Sequence, residues 1–215
     1  MFDLDGVLLD SEPTWNEAKA QLVRERGGTW RDDAPTVMMG MSSPEWAAYL
    51  RDELGVAMPV EEISREVVRR MEDGYRRSLP LLPGAERAVR ALAARWPLAL
   101  ASSSNREIID LAMELSGFGD AFAVTVSSEE VERGKPAADV YLAAARKLGV
   151  DPARCVAIED SSNGLRSAAA AGMAVIAVPN PHYPPAPDAL ALAAATVAIP
   201  GDLTPELVER TADSG

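Results

Sequence analysis

From residue 81 onward the chain alternates short apolar runs with stretches of helical period, and few architectures satisfy that alternation. Apolar runs at 98–101, 122–126, 155–158 and 174–178 are separated by helix-like segments at 85–95, 105–115, 136–148 and 163–171. A weaker tail adds a short helix near 188–193, a strand at 196–199 and a last helix near 204–210. Continuous apolar runs mark strands buried on both faces, which arise where helices cover both sides of a parallel sheet. The expected class is α/β, with a doubly wound, Rossmann-like parallel-sheet core. A chain of 215 residues that is 47% hydrophobic can bury such a core and still carry a small insertion.

The insertion is legible between 11 and 78. Trp15, Ala18, Leu22 and Val23 recur at helical intervals until Gly27-Gly28 ends the segment. A second helix is expected over 43–54, with Ser43 as N-cap, Pro44 at its first position, and Trp46, Tyr49, Leu50 and Leu54 on its apolar face. A third is expected over 59–78 from Val60, Ile63, Val67 and Met71. The expected organisation is a core of 1–10 and 79–215, with a small all-helical cap at 11–78 inserted after strand 1. Only Met1 and Phe2 precede Asp3. The first strand is therefore short or continued upstream, and the sequence leaves both open.

In doubly wound sheets ligands bind at the carboxyl ends of the strands. Four polar clusters fall there. Asp3 and Asp5 stand two residues apart, so on an extended segment both face one small volume. Such a like-charged pair is unfavourable unless a cation or a shared proton relieves it. Gly6 lets the backbone turn beside them. Ser102, followed by Ser103, Ser104 and Asn105, places a hydroxyl and free N–H groups at a helix start, either an anion cradle or a plain N-cap. Lys135 stands before a helix whose dipole disfavours a cation, so carboxylates or a phosphate must offset it unless it is a solvated loop lysine. Glu159 and Asp160 leave a buried strand, where their oxygens suit a small hard cation such as Mg2+ or favour the next helix's dipole.

Charge and composition exclude other classes. A formal charge of -12 and a pI near 4.6 argue against nucleic acid and anionic membranes as partners. No apolar stretch reaches about eighteen residues, and no signal peptide precedes the acidic motif. The single cysteine, Cys155, forbids an internal disulfide and fits a reducing compartment, so a cytoplasmic protein, monomeric or weakly dimeric, is expected. Cys155 reads as a small packed hydrophobe, and His182, in a Pro-rich loop, as solvated.

In their order along the chain, the four clusters resemble the motifs of the haloacid dehalogenase superfamily, in the helical-cap subgroup (subfamily IA) that contains sugar-phosphate phosphatases and β-phosphoglucomutase-like proteins. Phe2-Asp3-Leu4-Asp5-Gly6-Val7-Leu8-Leu9-Asp10-Ser11-Glu12 is similar to the first motif, Ser102 to the second, Lys135-Pro136 to the third, and Glu159-Asp160 with Gly164 to the fourth. The resemblance implies that Asp3 attacks phosphorus to form an aspartyl phosphate and that Asp5 serves as acid, then base. It implies that the side chains of Asp3 and Asp160 and the carbonyl of Asp5 bind Mg2+, with Glu159 as ligand or water-orienting group. Ser102 and Lys135, with Ser103 and Asn105, would hold the phosphoryl oxygens. Trp15, Asn16 and the loop 38–42, including Met41, would select the substrate.

Asp5 argues against the dehalogenase and phosphonatase branches, which lack that acid. Trp15 stands where β-phosphoglucomutase has a hinge histidine, and Ser43 or Pro44 where it has a cap-loop arginine. The function so implied is a Mg2+-dependent phosphatase acting on a small phosphorylated metabolite, a sugar phosphate or similar phosphomonoester. A phosphosugar mutase and a catalytically weak phosphate-binding relative are the alternatives.

Overall fold

The amino-terminal segment occupies the middle of a parallel sheet. In the computed structural model of the chain, which describes residues 1–38, 41–181 and 183–213, Phe2 bridges in parallel to Leu100 on one side and Ile158 on the other. Leu100 lies in β1 (Leu98–Ser102), which pairs in parallel with β2 (Phe122–Ser127). Ile158 lies in β3 (Val156–Glu159), which pairs in parallel with β4 (Ala174–Ala177) and through it with the two-residue edge strand β5 (Ala195–Thr196). The order across the sheet is therefore β2-β1-(residues 1–3)-β3-β4-β5.

Two compact units share the chain: Met1–Asp10 with Pro80–Gly215, and Ser11–Leu79. The second holds α1 (Glu12–Glu25), α2 (Ala34–Met38), α3 (Ser43–Asp52) and α4 (Val60–Arg77). Helix α4 buries Ile63, Val67, Met71 and Tyr75 along one stripe and packs on α1 and α3. Ser42 and Glu45 form a reciprocal capping box at the start of α3. Trp15 and Trp46 are buried with ring centroids 6.2 Å apart, and the Lys19 ammonium lies 5.3 and 5.2 Å from the two rings.

The first unit adds α5 (Ala85–Ala93), α6 (Arg106–Ser116), α7 (Asp139–Leu148), α8 (Ser162–Ala170), α9 (Pro187–Leu190) and α10 (Pro205–Ala212). Ala99, Ala101, Ala157 and Val175 form one buried cluster with Tyr141, Ala144 and Leu165 of α7 and α8. Strand alternation turns the intervening Leu100, Ile158 and Ile176, also buried, to the opposite face. The fold is a doubly wound α/β core with a helical insertion. Among the described residues no helix is long and apolar enough to cross a membrane.

Several expectations require correction. The helix expected to open at Pro136 begins at Asp139, because residues 134–137 form a turn closed by the Ala137 N–H to the Gly134 carbonyl at 3.0 Å. The strand expected at 196–199 shrinks to Ala195–Thr196, an edge paired only with β4. Helix α2 escaped prediction because five residues are too few to display a period. The strand expected over 155–158 runs over Val156–Glu159, so the half-buried Cys155 immediately precedes β3, where it packs against the core cluster as expected of a small hydrophobe. Met39, Gly40 and His182 lie outside the described residues, and with them the middle of the expected 38–42 loop and the solvated histidine.

Candidate active site

Asp3 is the last residue of the central segment, and β1, β3 and the turn before α7 deliver the rest. The Lys135 ammonium is the hub. It donates to Asp3 Oδ1 at 2.8 Å, to the Ala101 carbonyl at 3.0 Å and to Glu159 Oε1 at 2.5 Å. The alternative of a solvated loop lysine is overturned, since the side chain is only 4% exposed. The carboxylates expected to offset its position before a helix are present. Tyr141 of α7 donates its hydroxyl to Glu159 Oε1 at 2.8 Å and sets its ring 5.1 Å beneath the ammonium. The other Glu159 oxygen accepts the Asp160 N–H at 3.1 Å and the Ser161 hydroxyl at 3.4 Å. A fully buried glutamate is tolerable only with such complete hydrogen bonding.

Asp5 is tethered differently. Its Oδ2 accepts the Ser104 hydroxyl at 2.6 Å and lies 3.5 Å from the Ser102 hydroxyl, whereas Oδ1 is buried without a partner among the described residues. Ser102 Oγ also accepts the Ser104 N–H at 3.0 Å, and Ser127 at the end of β2 donates to the Ser104 carbonyl at 2.7 Å. The serine loop is thus fastened to two strand ends. Immediately after Asp5 the chain reverses at Gly6, whose φ is +75° and whose N–H reaches the Leu9 carbonyl at 2.8 Å. A Cβ there would meet the Asp160 carboxylate, so Gly6 allows the loop and that acid to approach.

Carboxylate oxygens of Asp3, Glu159 and Asp160 all lie within 4.8 Å of one another. Burial, reinforced by Glu159 and Asp5 and opposed by Lys135, pushes the Asp3 carboxyl up to about 8. Burial, with Glu159 and Asp3, likewise holds Asp160 well above the usual carboxylate range. Burial alone would lower Lys135, but Asp3 and Glu159 outweigh it and hold the ammonium above its ordinary value. One lysine does not relieve the crowding of acids. The donors are hard oxygens only, and their charge exceeds what is locally compensated, so the residues present fit a hard divalent cation such as Mg2+.

The expected Asp3, Asp5, Ser102, Lys135, Glu159 and Asp160 are therefore brought together. Ser103 is exposed, and Asn105 gives its amide to Glu129 at 2.6 Å. Glu129 also accepts the Arg106 N–H at 3.0 Å, so the start of α6 is partly capped by the chain's own carboxylate. Trp15 and the half-buried Met41 belong to the helical unit. Sequence reasoning missed Tyr141 and the direct role of Ser104. Tyr141 sits among apolar α7 residues and carries no signal, whereas Ser104 was one of three adjacent serines.

A model of haloacid dehalogenase-like hydrolases matches residues 1–172. Hexitol phosphatase B of Escherichia coli strain K12 is 35% identical over 188 residues, covering 85% of this chain and 83% of that protein. A protein of Drosophila melanogaster named Probable pseudouridine-5'-phosphatase is 34% identical over 189 residues, covering 85% and 81%. Among solved structures, CbbY from Rhodobacter sphaeroides in complex with phosphate superposes with a TM-score of 0.86 at 26% identity, covering 97% of each chain.

Proposed function

This chain belongs to the haloacid dehalogenase-like hydrolases, in the helical-cap branch, and is a phosphomonoester hydrolase; from that premise we propose that it is a Mg2+-dependent phosphatase of small phosphorylated metabolites, sugar phosphates or similar esters, working through an aspartyl phosphate. The observation that carries the reading is the unequal tethering of the two amino-terminal acids. Asp3 is clamped by Lys135 through one oxygen, which leaves the other for phosphorus. Asp5 is held by Ser104 through Oδ2, which leaves Oδ1 to hold and move a proton. One acid is positioned as a nucleophile and its neighbour as an acid/base.

Asp3 attacks phosphorus in line, the bond to the ester oxygen breaks, and Asp5 Oδ1 delivers its proton to that departing oxygen. Water then attacks the phosphorus of the aspartyl phosphate, Asp5 takes up the water's proton, and Asp3 is released with inorganic phosphate. The Ser102 hydroxyl and the Lys135 ammonium hold phosphoryl oxygens. All three Lys135 N–H groups already have acceptors, so it must give up or share one of them to reach a phosphoryl oxygen; one of the three, Asp3 Oδ1, is the second oxygen of the nucleophilic carboxylate. Asp3 and Asp160, with Glu159, would hold Mg2+, which supplies charge neutralisation to the phosphoryl group and keeps Asp3 ionised. Ser103 and Asn105 complete the proposed phosphate loop, and Trp15 and Met41 of the helical unit contribute to substrate choice. The proposed enzyme acts as a monomer or weak homodimer in the cytoplasm, a reducing compartment that the lone cysteine fits.

The test is Mg2+-dependent phosphate release from p-nitrophenyl phosphate and a panel of sugar phosphates. Asp3→Asn is expected to lower turnover by about 10⁴-fold or more while leaving the fold intact. Isomerised sugar phosphate without free phosphate would instead identify a mutase. A folded protein inert on every ester would identify a binding protein.

A further inference from the structure

One carboxylate beside the serine loop takes no part in the proposed hydrolysis. Glu129 follows β2 in a single 3-10 turn, Ser128–Glu130. The Ser127 hydroxyl accepts the Glu129 N–H at 3.1 Å and Glu130 accepts the Ser127 N–H at 2.9 Å, a reciprocal cap that fixes the turn. The turn is fastened to the serine loop, because the Ser127 and Ser128 hydroxyls donate to the Ser104 and Ser102 carbonyls at 2.7 and 3.3 Å. From this base Glu129 reaches the start of α6. One of its oxygens accepts the Asn105 side-chain amide at 2.6 Å, and the other accepts the Arg106 N–H at 3.0 Å.

A helix start is where an anionic group of a ligand would settle. Here a carboxylate of the chain already holds it. Among the described residues no cation pairs with that carboxylate. The Arg106 guanidinium turns to Asp110 and Glu130 at 3.3 and 3.1 Å, and Lys147 turns to Glu130 at 2.7 Å. Glu129 is exposed, whereas Asn105 is only 5% exposed, so an open negative charge hangs on an anchored amide.

Asp5 locates the substrate's alcohol relative to this charge. In the proposed reaction Asp5 Oδ1 protonates the departing oxygen, and its Oδ2 accepts the hydroxyl of Ser104, the residue next to Asn105. Adjacent Cα atoms are about 3.8 Å apart, so the alcohol stands on the order of 10 Å from the Glu129 carboxylate, about one Debye length. Resting on the phosphatase reading, we propose that Glu129 is a specificity-determining residue. It fills the anion seat beside the leaving group and so selects phosphomonoesters of uncharged, hydroxylated alcohols over those that carry a carboxylate or a second phosphate. The selection works by repulsion and by prior occupation of the helix start. A hydroxyl of the alcohol can still donate to the exposed carboxylate.

The test uses matched esters that exchange an alcohol for a carboxylate at the far carbon: sorbitol 6-phosphate against 6-phosphogluconate, and glycerol 3-phosphate against 3-phosphoglycerate. The native enzyme is expected to favour the uncharged member by about tenfold or more in kcat/KM. Glu129→Gln keeps an acceptor for Asn105 and Arg106 and should cut that preference to about threefold or less. Glu132→Gln, which removes an exposed acid from the same segment, should leave the preference unchanged. Added salt should narrow the preference of the native enzyme and not that of Glu129→Gln. The same preference in the native enzyme and Glu129→Gln, or the same loss in both Gln variants, overturns the proposal. Hydrolysis of p-nitrophenyl phosphate with neither uncharged ester turned over also overturns it, and leaves the phosphatase reading standing. Inertness on every ester removes that reading and this selection with it.

Discussion

At Gly6 a positive φ of +75° coincides with a Cβ position that the Asp160 carboxylate already fills. Gly6→Ala should therefore strain the loop and push apart two groups that must converge. A loss of about 100-fold in kcat/KM is expected, measured on whichever ester the native enzyme hydrolyses best. Lys135 is the complementary case. Lys135→Met strips the cation from Asp3 and from the fully buried Glu159. Urea unfolding without metal should show a destabilisation of about 3–5 kcal/mol, the usual consequence of orphaning a buried charge. That Asp3, Asp5 and Asp160 gather at one end of the sheet was readable beforehand, because all three fall at the carboxyl ends of expected strands. Tyr141 was not, because a hydroxyl among apolar helical positions is indistinguishable from core until its partner is seen. Ser104 was hidden by adjacent serines, any of which could have faced Asp5.

Helix α4 shows how an element's outer face contributes to stability. Glu66 accepts from Arg69 at 2.8 Å and from Arg70 at 2.8 Å, and Arg70 continues to Glu25 of α1 at 2.6 Å. The Arg69 hydrogen bond, with Arg70 adding to it against partial burial, draws the Glu66 carboxyl down to about 2 from 4.5. A depressed carboxylate stabilises the fold above its unfolded pKa and loses that contribution as pH falls through the folded value. Glu66→Gln should lower stability by about 0.5–1 kcal/mol at pH 7, since the network is only partly screened from water. The difference from the native protein should shrink between about pH 4.5 and pH 2, followed by thermal melts at stepped pH. The long elements were legible because their period is intrinsic to them. The α4 stripe needed no tertiary information, whereas the cap of α3 falls at Ser42, one residue before the expected Ser43, and α2, β5 and the turn at 134–137 were set by neighbours and short-range closure.

For the molecule as a whole, acids outnumber bases by 33 to 21, and among the described residues Asp3, Glu159 and Asp160 gather carboxylate oxygens within 4.8 Å of one another, where the cation is proposed. A divalent ion that binds only the folded state should stabilise it by mass action, about 2.7 kcal/mol at a hundredfold excess over its Kd. Tm is therefore expected to rise with Mg2+ and fall back with EDTA, and Asp160→Asn should abolish the response.

The junction between the two units is closed within the core. Leu9 bridges Leu81 in antiparallel fashion, the Asp10 N–H reaches the Pro80 carbonyl at 2.8 Å, and the Leu82 N–H reaches the Leu8 carbonyl at 2.9 Å. The chain leaves and returns through one narrow gate whose posts are already bolted together, roughly 5 Å apart. The sheet is therefore indifferent to the length and make-up of what is spliced in there. Such a socket lets new inserts be traded while the core stays unchanged.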